Sequence, residues 1–282
     1  MRRLIVNADD FGSCRGSVDG IVHGHRHGIV TSASFMAGMP AAVRAIEAAR
    51  ACPGLDVGVH LDFTQGRPVL PAAEVASLTD DRGRFLASRA WLASRRKPDP
   101  LELESEFRAQ IGRAAAAGLA PSHLDLHTNL GYLLEGVFPL TVRLAAELGL
   151  AIRFPFGEGW ERLGAAAAAA TGLSMDRIAK LVDGSRRLVA AAGVAHPDRM
   201  VDAFAGPAAR SGESLARQIA GLGEGTSEIL AHPGFVRGSL LTLGPWAVRR
   251  AAELAALCSP EARQALRDGG IELVSFRSLI GR

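Results

Sequence analysis

The feature that most constrains this chain of 282 residues is a repeated alternation of short apolar runs with longer helical stretches. The apolar runs are rich in Val, Ile, Leu and Phe, whereas the stretches between them carry Ala, Leu and Arg at a helical period. Repeated βα units of this kind are typical of a parallel sheet. Strands are predicted near residues 3–8, 31–37, 56–63, 123–127, 152–156, 199–204, 227–232 and 272–277. Eight strands with intervening helices favour an α/β fold of the distorted TIM-like (β/α) barrel type.

Helices are predicted between these strands, and Pro or Gly stands at several of their ends. Their ranges are 16–27, 40–51, 100–117, 135–148, 161–169, 174–192, 213–222 and 245–257. Barrels of this kind often run to about 200–250 residues or more as one unit, so a single domain over residues 1–282 is expected. The stretch 64–99 has little periodicity and is predicted to be a lid or substrate loop. An open, doubly wound sheet is the alternative architecture.

The composition excludes several classes of protein. Apolar residues make up 48% of the chain and charged residues 22%, which is typical of a soluble globular protein with a sizeable core. The net charge is only +3 and the basic residues are scattered, so no nucleic-acid partner is expected. Three well-separated cysteines indicate free thiols in a reducing compartment. With no signal-peptide pattern and no membrane span, a cytoplasmic location is predicted.

Polar side chains recur at the predicted carboxyl ends of the strands. In a parallel barrel these ends open on one face, so residues that are distant in sequence converge there. The residues in these positions are Asp9, Asp10, His60, His123, Asp125, His127, Arg153 and His232. A stable core does not require such a pattern, which therefore indicates a functional site.

This set of side chains suits a hydrolytic metal centre. One carboxylate and two neutral imidazoles can hold a divalent ion and leave coordination positions open. Such an ion lowers the pKa of its bound water from about 15.7 towards 7. Asp10, His60 and His127 are the predicted ligands. Asp9 is the predicted general base, and His232 is predicted to protonate the leaving amine.

Each of these residues also has a purely structural interpretation. The Asp9-Asp10 pair could end a strand and cap the following helix. His60 could be a hydrogen-bonded core histidine. Asp125 and His127 share a strand face and could form a structural hydrogen-bonded pair.

Two strand-end residues and four aromatic residues can likewise be interpreted as functional or as purely structural. Arg153 could be a solvated strand end with a salt-bridge partner, and His232 could belong to a plain turn. Four aromatic residues could either stack on a sugar ring or pack in the protein, and they are Trp91, Tyr132, Trp160 and Trp246.

Five ordered sequence blocks carry a resemblance to a known family. They read LIVNADDFG at 4–12, GIVTS at 28–32, GVHL at 58–61 with GRP at 66–68, HLD with a second histidine at 123–127, and EI with HPG at 228–234. Together they resemble the YdjC-like carbohydrate deacetylases, relatives of the NodB-type polysaccharide deacetylases. The resemblance implies one divalent metal on Asp10, His60 and His127, with Asp9 as base and His232 as acid. It also implies deacetylation of N-acetylglucosamine units, as in chitin disaccharides, or of glycosylated hopanoid lipids.

The chain departs from this family at one point. Relatives have three alternating histidines after the Leu-Asp pair, whereas here His127 is followed by Asn129 and Gly131 in the other two positions. Imidazoles that would line the site or support the ligands are therefore replaced, and an altered pocket is predicted. The residues assigned to substrate binding or to support of the ligands are Asp125, Asn129, Tyr132 and Arg153.

The leading functional hypothesis is a metal-dependent hydrolase that removes the N-acetyl group from an acetylated amino sugar. Zn²⁺ or Mg²⁺ is the expected ion, a small carbohydrate or glycolipid is the expected substrate, and a homodimer is one conceivable assembly. A sugar-binding or regulatory protein that has lost catalysis is the second hypothesis, motivated by Asn129 and Gly131. A metal-dependent phosphoesterase is the third, and it is disfavoured because the sequence offers no second ligand cluster.

Overall fold

The computed structural model describes residues 1–94, 96–157, 160–237 and 245–281. Eight strands in these ranges form one sheet in which every pairing is parallel. They are β1 (Arg2–Phe11), β2 (Ser32–Phe35), β3 (Asp56–Leu61), β4 (His123–Leu126), β5 (Ala151–Ile152), β6 (Arg199–Val201), β7 (Gly225–Ala231) and β8 (Glu272–Val274). Each strand overlaps a range predicted from the apolar runs, although all of them except β1 and β7 are shorter than predicted.

The order of the strands is β5-β4-β3-β2-β1-β7-β6, and β8 pairs with β1 beside this path. This order follows the chain around a barrel with β8 displaced, so that β1 pairs directly with β7. The described residues of β5 and β6 do not pair with each other, although the Ile152 N–H donates to the carbonyl of Ala195 at 2.9 Å across the gap. The fold is therefore a single α/β domain with an incomplete barrel, not the doubly wound alternative.

The predicted TIM-like barrel is not closed in the way expected. A TIM barrel closes through eight consecutive neighbours, whereas β8 contacts only Arg3, Leu4 and Ile5 of β1. Beyond these residues β2 takes over the same edge of β1, starting at Asn7. Because β7 pairs with the other edge of β1 over Arg2–Ala8, β8 is not inserted between β1 and β7.

Eleven α-helices lie in the described ranges. They are α1 (Arg15–His27), α2 (Ala42–Arg50), α3 (Ser88–Ser94), α4 (Pro100–Ala116), α5 (Asn129–Leu133), α6 (Val137–Leu148), α7 (Glu161–Thr171), α8 (Met175–Ala192), α9 (Gly212–Ala220), α10 (Pro245–Leu257) and α11 (Pro260–Gly269). Three of them, α3, α5 and α11, were not predicted. No helix in the described parts of the chain has the length and apolarity needed to cross a membrane.

The segment 64–99, predicted to be a lid or substrate loop, is folded against the barrel. It contains a 3₁₀-helix over Ala72–Leu78 as well as α3. The carboxylate of Glu106 on α4 accepts hydrogen bonds from Val69 N at 2.9 Å and from Leu70 N at 3.1 Å. Trp91 is 1% exposed and belongs to the main core. Its function as a lid stays a prediction.

Candidate metal and catalytic site

The end of β1 directs two neighbouring carboxylates to one place. Adjacent strand residues normally point to opposite faces, but the register with β2 shifts between Ala8 and Phe11. Asp10 has a φ of 66°, the only positive φ of a non-glycine residue in the described ranges. As a result, the Nε2 atom of His60 lies 3.7 Å from Asp9 Oδ2 and also 3.7 Å from Asp10 Oδ1.

The three predicted ligands converge at this point. Asp10 comes from the end of β1, His60 from β3, and His127 directly follows β4. Their facing atoms lie within 4.8 Å of one another, and Asp10 Oδ1 is 3.2 Å from His127 Nδ1. Asp10 Oδ1, His60 Nε2 and His127 Nδ1 are all buried without a hydrogen-bond partner in the described chain. With neutral imidazoles these three atoms have no partner unless a cation joins them, whereas without an ion a protonated His127 can pair with Asp10 across the 3.2 Å separation.

Hydrogen bonds behind the two imidazoles set their tautomers. The Nδ1 atom of His60 lies 2.8 Å from Asp125 Oδ1, so it carries the proton and Nε2 is free. The Nε2 atom of His127 lies 2.7 Å from Gln65 Oε1, an acceptor, so in the neutral imidazole Nε2 carries the proton and Nδ1 is free. Partners of this kind orient imidazoles that ligate metals. Both free nitrogens are the ones that face Asp10.

The electrostatics of the cluster favour a positive charge. Burial lowers the pKa of His127, but Asp62 and Asp10 raise it more, to about 9. Burial also lowers the pKa of His60, while Asp125 and Asp9 raise it above its ordinary value. A divalent ion would compete with protons for these nitrogens.

The carboxylate of Asp10 responds to the same surroundings. Burial raises its pKa, yet His127 and Arg250 lower it further, so the pKa lies well below its usual value. One ionised carboxylate with two imidazoles is a donor set that suits Zn²⁺ and related divalent ions. The residues present therefore fit such an ion.

Arg153 lies inside the protein, so its interpretation as a solvated strand end is wrong. It is 4% exposed and binds Asp9 with both arms of its guanidinium, at 2.8 and 2.7 Å. It also contacts Asp125 Oδ2 at 2.7 Å and Glu228 Oε1 at 2.8 Å. Burial raises the pKa of Glu228 to about 7, although Arg153 opposes this. One guanidinium shared by three carboxyl groups leaves negative charge around Asp9.

His232 follows β7, next to β1. Ala231 pairs with Ala8, so the next residues, His232 and Asp9, lie side by side at the same end of the sheet. The side chain of His232 is 28% exposed, and its Nδ1 lies 3.9 Å from Glu253 Oε2. The same oxygen accepts the backbone N–H of His232 at 2.6 Å. Glu253 is in turn bound by Arg249 at 2.7 Å.

The residues assigned to substrate binding or support fall into two groups. Asp125 and Arg153 lie behind the ligands and are buried. Asn129 and Tyr132 belong to α5, and together with Trp160 they line a small pocket. The remaining tryptophans differ from each other, since Trp91 is in the core and Trp246 is 58% exposed.

Four further contact residues were assigned no role from the sequence, and they are Gln65, Asp62, Glu228 and Arg250. Gln65 and Arg250 carry no local signal, because an amide in a loop and an arginine on a polar helix are common. Glu228 could have been found, because it is a charged residue next to the apolar run Ile229–Ala231 and lies in one of the family-like sequence blocks. Asp62 follows β3 directly, so it could have been found as another polar residue at the carboxyl end of a strand.

A second group of potential ligand atoms overlaps the first. Asp9, His60 and Asp125 also offer three atoms within 4.8 Å. However, Arg153 binds both carboxylates, and the Nδ1 atom of His60 is hydrogen-bonded to Asp125. A second cation is therefore disfavoured there, which weakens the two-metal phosphoesterase hypothesis.

The fold and this site define an α/β protein with an incomplete barrel and a buried carboxylate–imidazole cluster at the strand ends. The family model described as YdjC-like protein matches residues 3–268. The chain belongs to this family.

Relatives match along almost the whole chain. A carbohydrate deacetylase of Brevibacillus brevis is 34% identical over 281 residues, covering 98% of this chain and 99% of the relative. One of Listeria welshimeri is 32% identical, covering 98% and 100%. A crystal structure from Enterococcus faecalis, provisionally described as a cellobiose-phosphate cleavage protein, has a TM-score of 0.82 at 28% identity and covers 99% of both chains.

Proposed function

We propose that this protein is a metal-dependent deacetylase of N-acetylated amino sugars. The observation that carries the proposal is the convergence of Asp10 Oδ1, His60 Nε2 and His127 Nδ1, three buried atoms without hydrogen-bond partners in the described residues. The description of two relatives as carbohydrate deacetylases supports the reaction class. Zn²⁺ and Mg²⁺ are the ions to test first.

Under this proposal, the side chains around the cluster divide the steps of amide hydrolysis between them. A divalent ion bound by the three ligands would supply Lewis acidity towards the carbonyl oxygen and the attacking water. Asp9, held by Arg153 and 3.7 Å from His60, accepts a proton from the water as its oxygen bonds to the carbonyl carbon. His232 donates a proton to the amide nitrogen as the C–N bond breaks, which releases acetate and a free amine.

A neighbouring pocket is the proposed place for the rest of the substrate. It has a volume of about 730 Å³ and is lined by Gln65, the partner of His127. Arg67, Arg84 and Arg89 also line it and outnumber the acidic lining residue Asp80, which favours a sugar that carries an anionic group. The substrate panel should therefore contain phosphorylated disaccharides as well as neutral chitooligosaccharides.

The test is an assay of acetate release. Protein stripped with a chelator and then reloaded with Zn²⁺ or Mg²⁺ is expected to release acetate from a member of the panel. Chelation and the Asp10→Ala substitution are expected to abolish this release. Full activity in either condition would contradict the metal-dependent mechanism.

The other two hypotheses are separated in the same experiment. Sugar binding without acetate release at saturating metal, across the whole panel, would favour a binding or regulatory protein. Release of inorganic phosphate from the phosphorylated sugars, with the acetyl group retained, would favour a phosphoesterase.

A further inference from the structure

Arg250 on α10 contacts the candidate ligand Asp10 through the carboxylate oxygen that does not face the imidazoles. Its Nη2 donates a hydrogen bond to Asp10 Oδ2. The ion pair is largely removed from solvent, because the two side chains are 12% and 6% exposed. The backbone carbonyl of Arg250 accepts the N–H of Gly234, in the loop that begins with His232, at 3.2 Å.

The two oxygens of Asp10 therefore have separate partners. Oδ1 faces His60 Nε2 at 3.7 Å and His127 Nδ1 at 3.2 Å. Oδ2 is taken by Arg250. A carboxylate held in this way offers one oxygen to an ion and cannot rotate freely to offer both.

The same helix also fixes the candidate acid. Arg249 binds Glu253 at 2.7 Å, and Glu253 accepts the backbone N–H of His232 at 2.6 Å. Consecutive arginines of α10 thus support Asp10 on one side and, through Glu253, His232 on the other. The spacing between ligand and acid depends on this helix.

We propose that Arg250 is a positioning residue of the metal site, which restricts Asp10 to single-oxygen ligation and ties it to the loop carrying His232. This inference rests on the proposed function, because it assumes that Asp10 binds a divalent ion.

Charge and orientation make opposite predictions for this residue. Arg250 is a cation close to the ligand set, so on charge alone its removal strengthens the binding of a divalent ion. If its main effect is to orient Asp10, its removal weakens binding, as is typical of side chains that support metal ligands. The sign of the change in affinity therefore distinguishes the two effects.

The experiment measures Zn²⁺ binding by calorimetry with chelator-stripped protein, without any sugar substrate. The Arg250→Ala protein is expected to bind Zn²⁺ about 10- to 100-fold more weakly than the wild type. The metal-free Arg250→Ala protein is expected to fold with a lower thermal midpoint than Arg44→Ala, because it loses a buried ion pair, so affinity is compared at a temperature where both are folded. Arg44 forms a surface pair with Asp19 and serves as the matched control.

Three results would overturn the inference. They are equal affinity, tighter affinity, or a loss of affinity that the Arg44→Ala control shares. If Arg250→Ala does not fold, Arg250→Met replaces it, because methionine keeps much of the side-chain volume but has no N–H donor for Asp10. Arg250→Met is then expected to bind Zn²⁺ more weakly than the wild type, and equal or tighter binding rejects the inference. If the wild type itself binds no Zn²⁺ or Mg²⁺, the proposed function fails first, and with it the metal site.

Discussion

Asp10 illustrates how one residue can meet several local requirements at once. Its positive φ costs on the order of 1–3 kcal/mol for a residue with a Cβ. In return, the carboxylate leaves the alternation of the strand and joins Asp9 on the side of His60. A glycine would relieve the strain but would remove the ligand. The conformation is therefore explained by the site rather than by the sheet.

His232 is the residue whose substitution best separates chemistry from metal binding. His232→Ala is expected to lower kcat about 10²- to 10⁴-fold, because the amine would leave without a proton donor. Its affinity for Zn²⁺ is expected to stay unchanged, because His232 is not among the three converging ligands. Acetate-release kinetics and calorimetry measure the two quantities. His25→Ala is the control, since His25 lies on α1 and contacts the carbonyl of Val30.

The raised pKa of His127, about 9, predicts how the metal-free protein responds to pH. A folded-state pKa above the unfolded value of about 6.5 means that the folded state binds the proton more tightly. The stabilisation is fully present below pH 6.5 and disappears as the pH rises through 9. Its size is on the order of 2–4 kcal/mol.

Urea unfolding of chelator-stripped wild type and His127→Gln, at several pH values, measures this effect. The difference in unfolding free energy between the two proteins is expected to shrink between pH 6.5 and 9.5. A difference that stays constant across this range would show that His127 does not titrate as described. The raised pKa of Glu228 also makes the unfolding free energy fall as the pH rises. Both proteins contain Glu228, so its contribution cancels in the difference between them.

At the scale of whole elements, close packing between α1 and the loop after β7 fixes their relative position. A Cβ on Gly20 would lie 2.5 Å from the Cα of Gly234 and 2.8 Å from its nitrogen. Phe235 N also donates to the carbonyl of Gly16 at 3.1 Å. The helix therefore sets the height of the loop that carries His232.

Gly20→Ala is expected to displace this loop. Overpacking of this kind costs about 1–3 kcal/mol of stability, and misplacement of the acid is expected to lower kcat about 10- to 100-fold. Gly112→Ala is the control, because a Cβ there meets nothing within 4 Å and alanine favours the interior of α4. Activity of Gly20→Ala equal to that of Gly112→Ala would rule out the proposed role of the contact.

Sequence patterns predicted the elements unevenly. The apolar runs located all eight strands. For central strands the reason is burial on both faces, as in β1 from Leu4 to Phe11, whereas β6 and β8 are partly buried or exposed. The helix α11 was missed although Ser259 caps it and Pro260 opens it, both recognisable signals. By contrast, α5 has only five residues, too few for a periodic pattern.

The site residues that lie at the carboxyl ends of strands could be predicted from the sequence. Asp9, Asp10, His60 and His127 come together because the carboxyl ends of parallel strands share one edge. The contacts of Arg250 depend instead on how α10 packs, and no local pattern reports that packing. The roles of all these residues stay predictions until they are tested.

At the scale of the whole molecule, the sequence pattern could not predict how the barrel closes. It depends on which strands become neighbours, and the displacement of β8 allows β1 to pair with β7 over Arg2–Ala8. Because β1 stands centrally in the sheet, it places Asp9 and Asp10 between β2 and β7. The candidate ligands therefore join strands that are far apart in the chain.

A divalent ion at this place is expected to stabilise the entire fold, because the ligands on β1, β3 and the end of β4 are brought together only in the folded state. Free Zn²⁺ at 100 times its Kd is expected to raise the unfolding free energy by about 2.7 kcal/mol. Urea unfolding with and without the ion measures this. Asp10→Ala is expected to lose the increase, whereas Asp81→Ala, which removes an exposed carboxylate, is expected to keep it. An equal increase in both variants would place the ion elsewhere on the protein, since only the first alters the cluster.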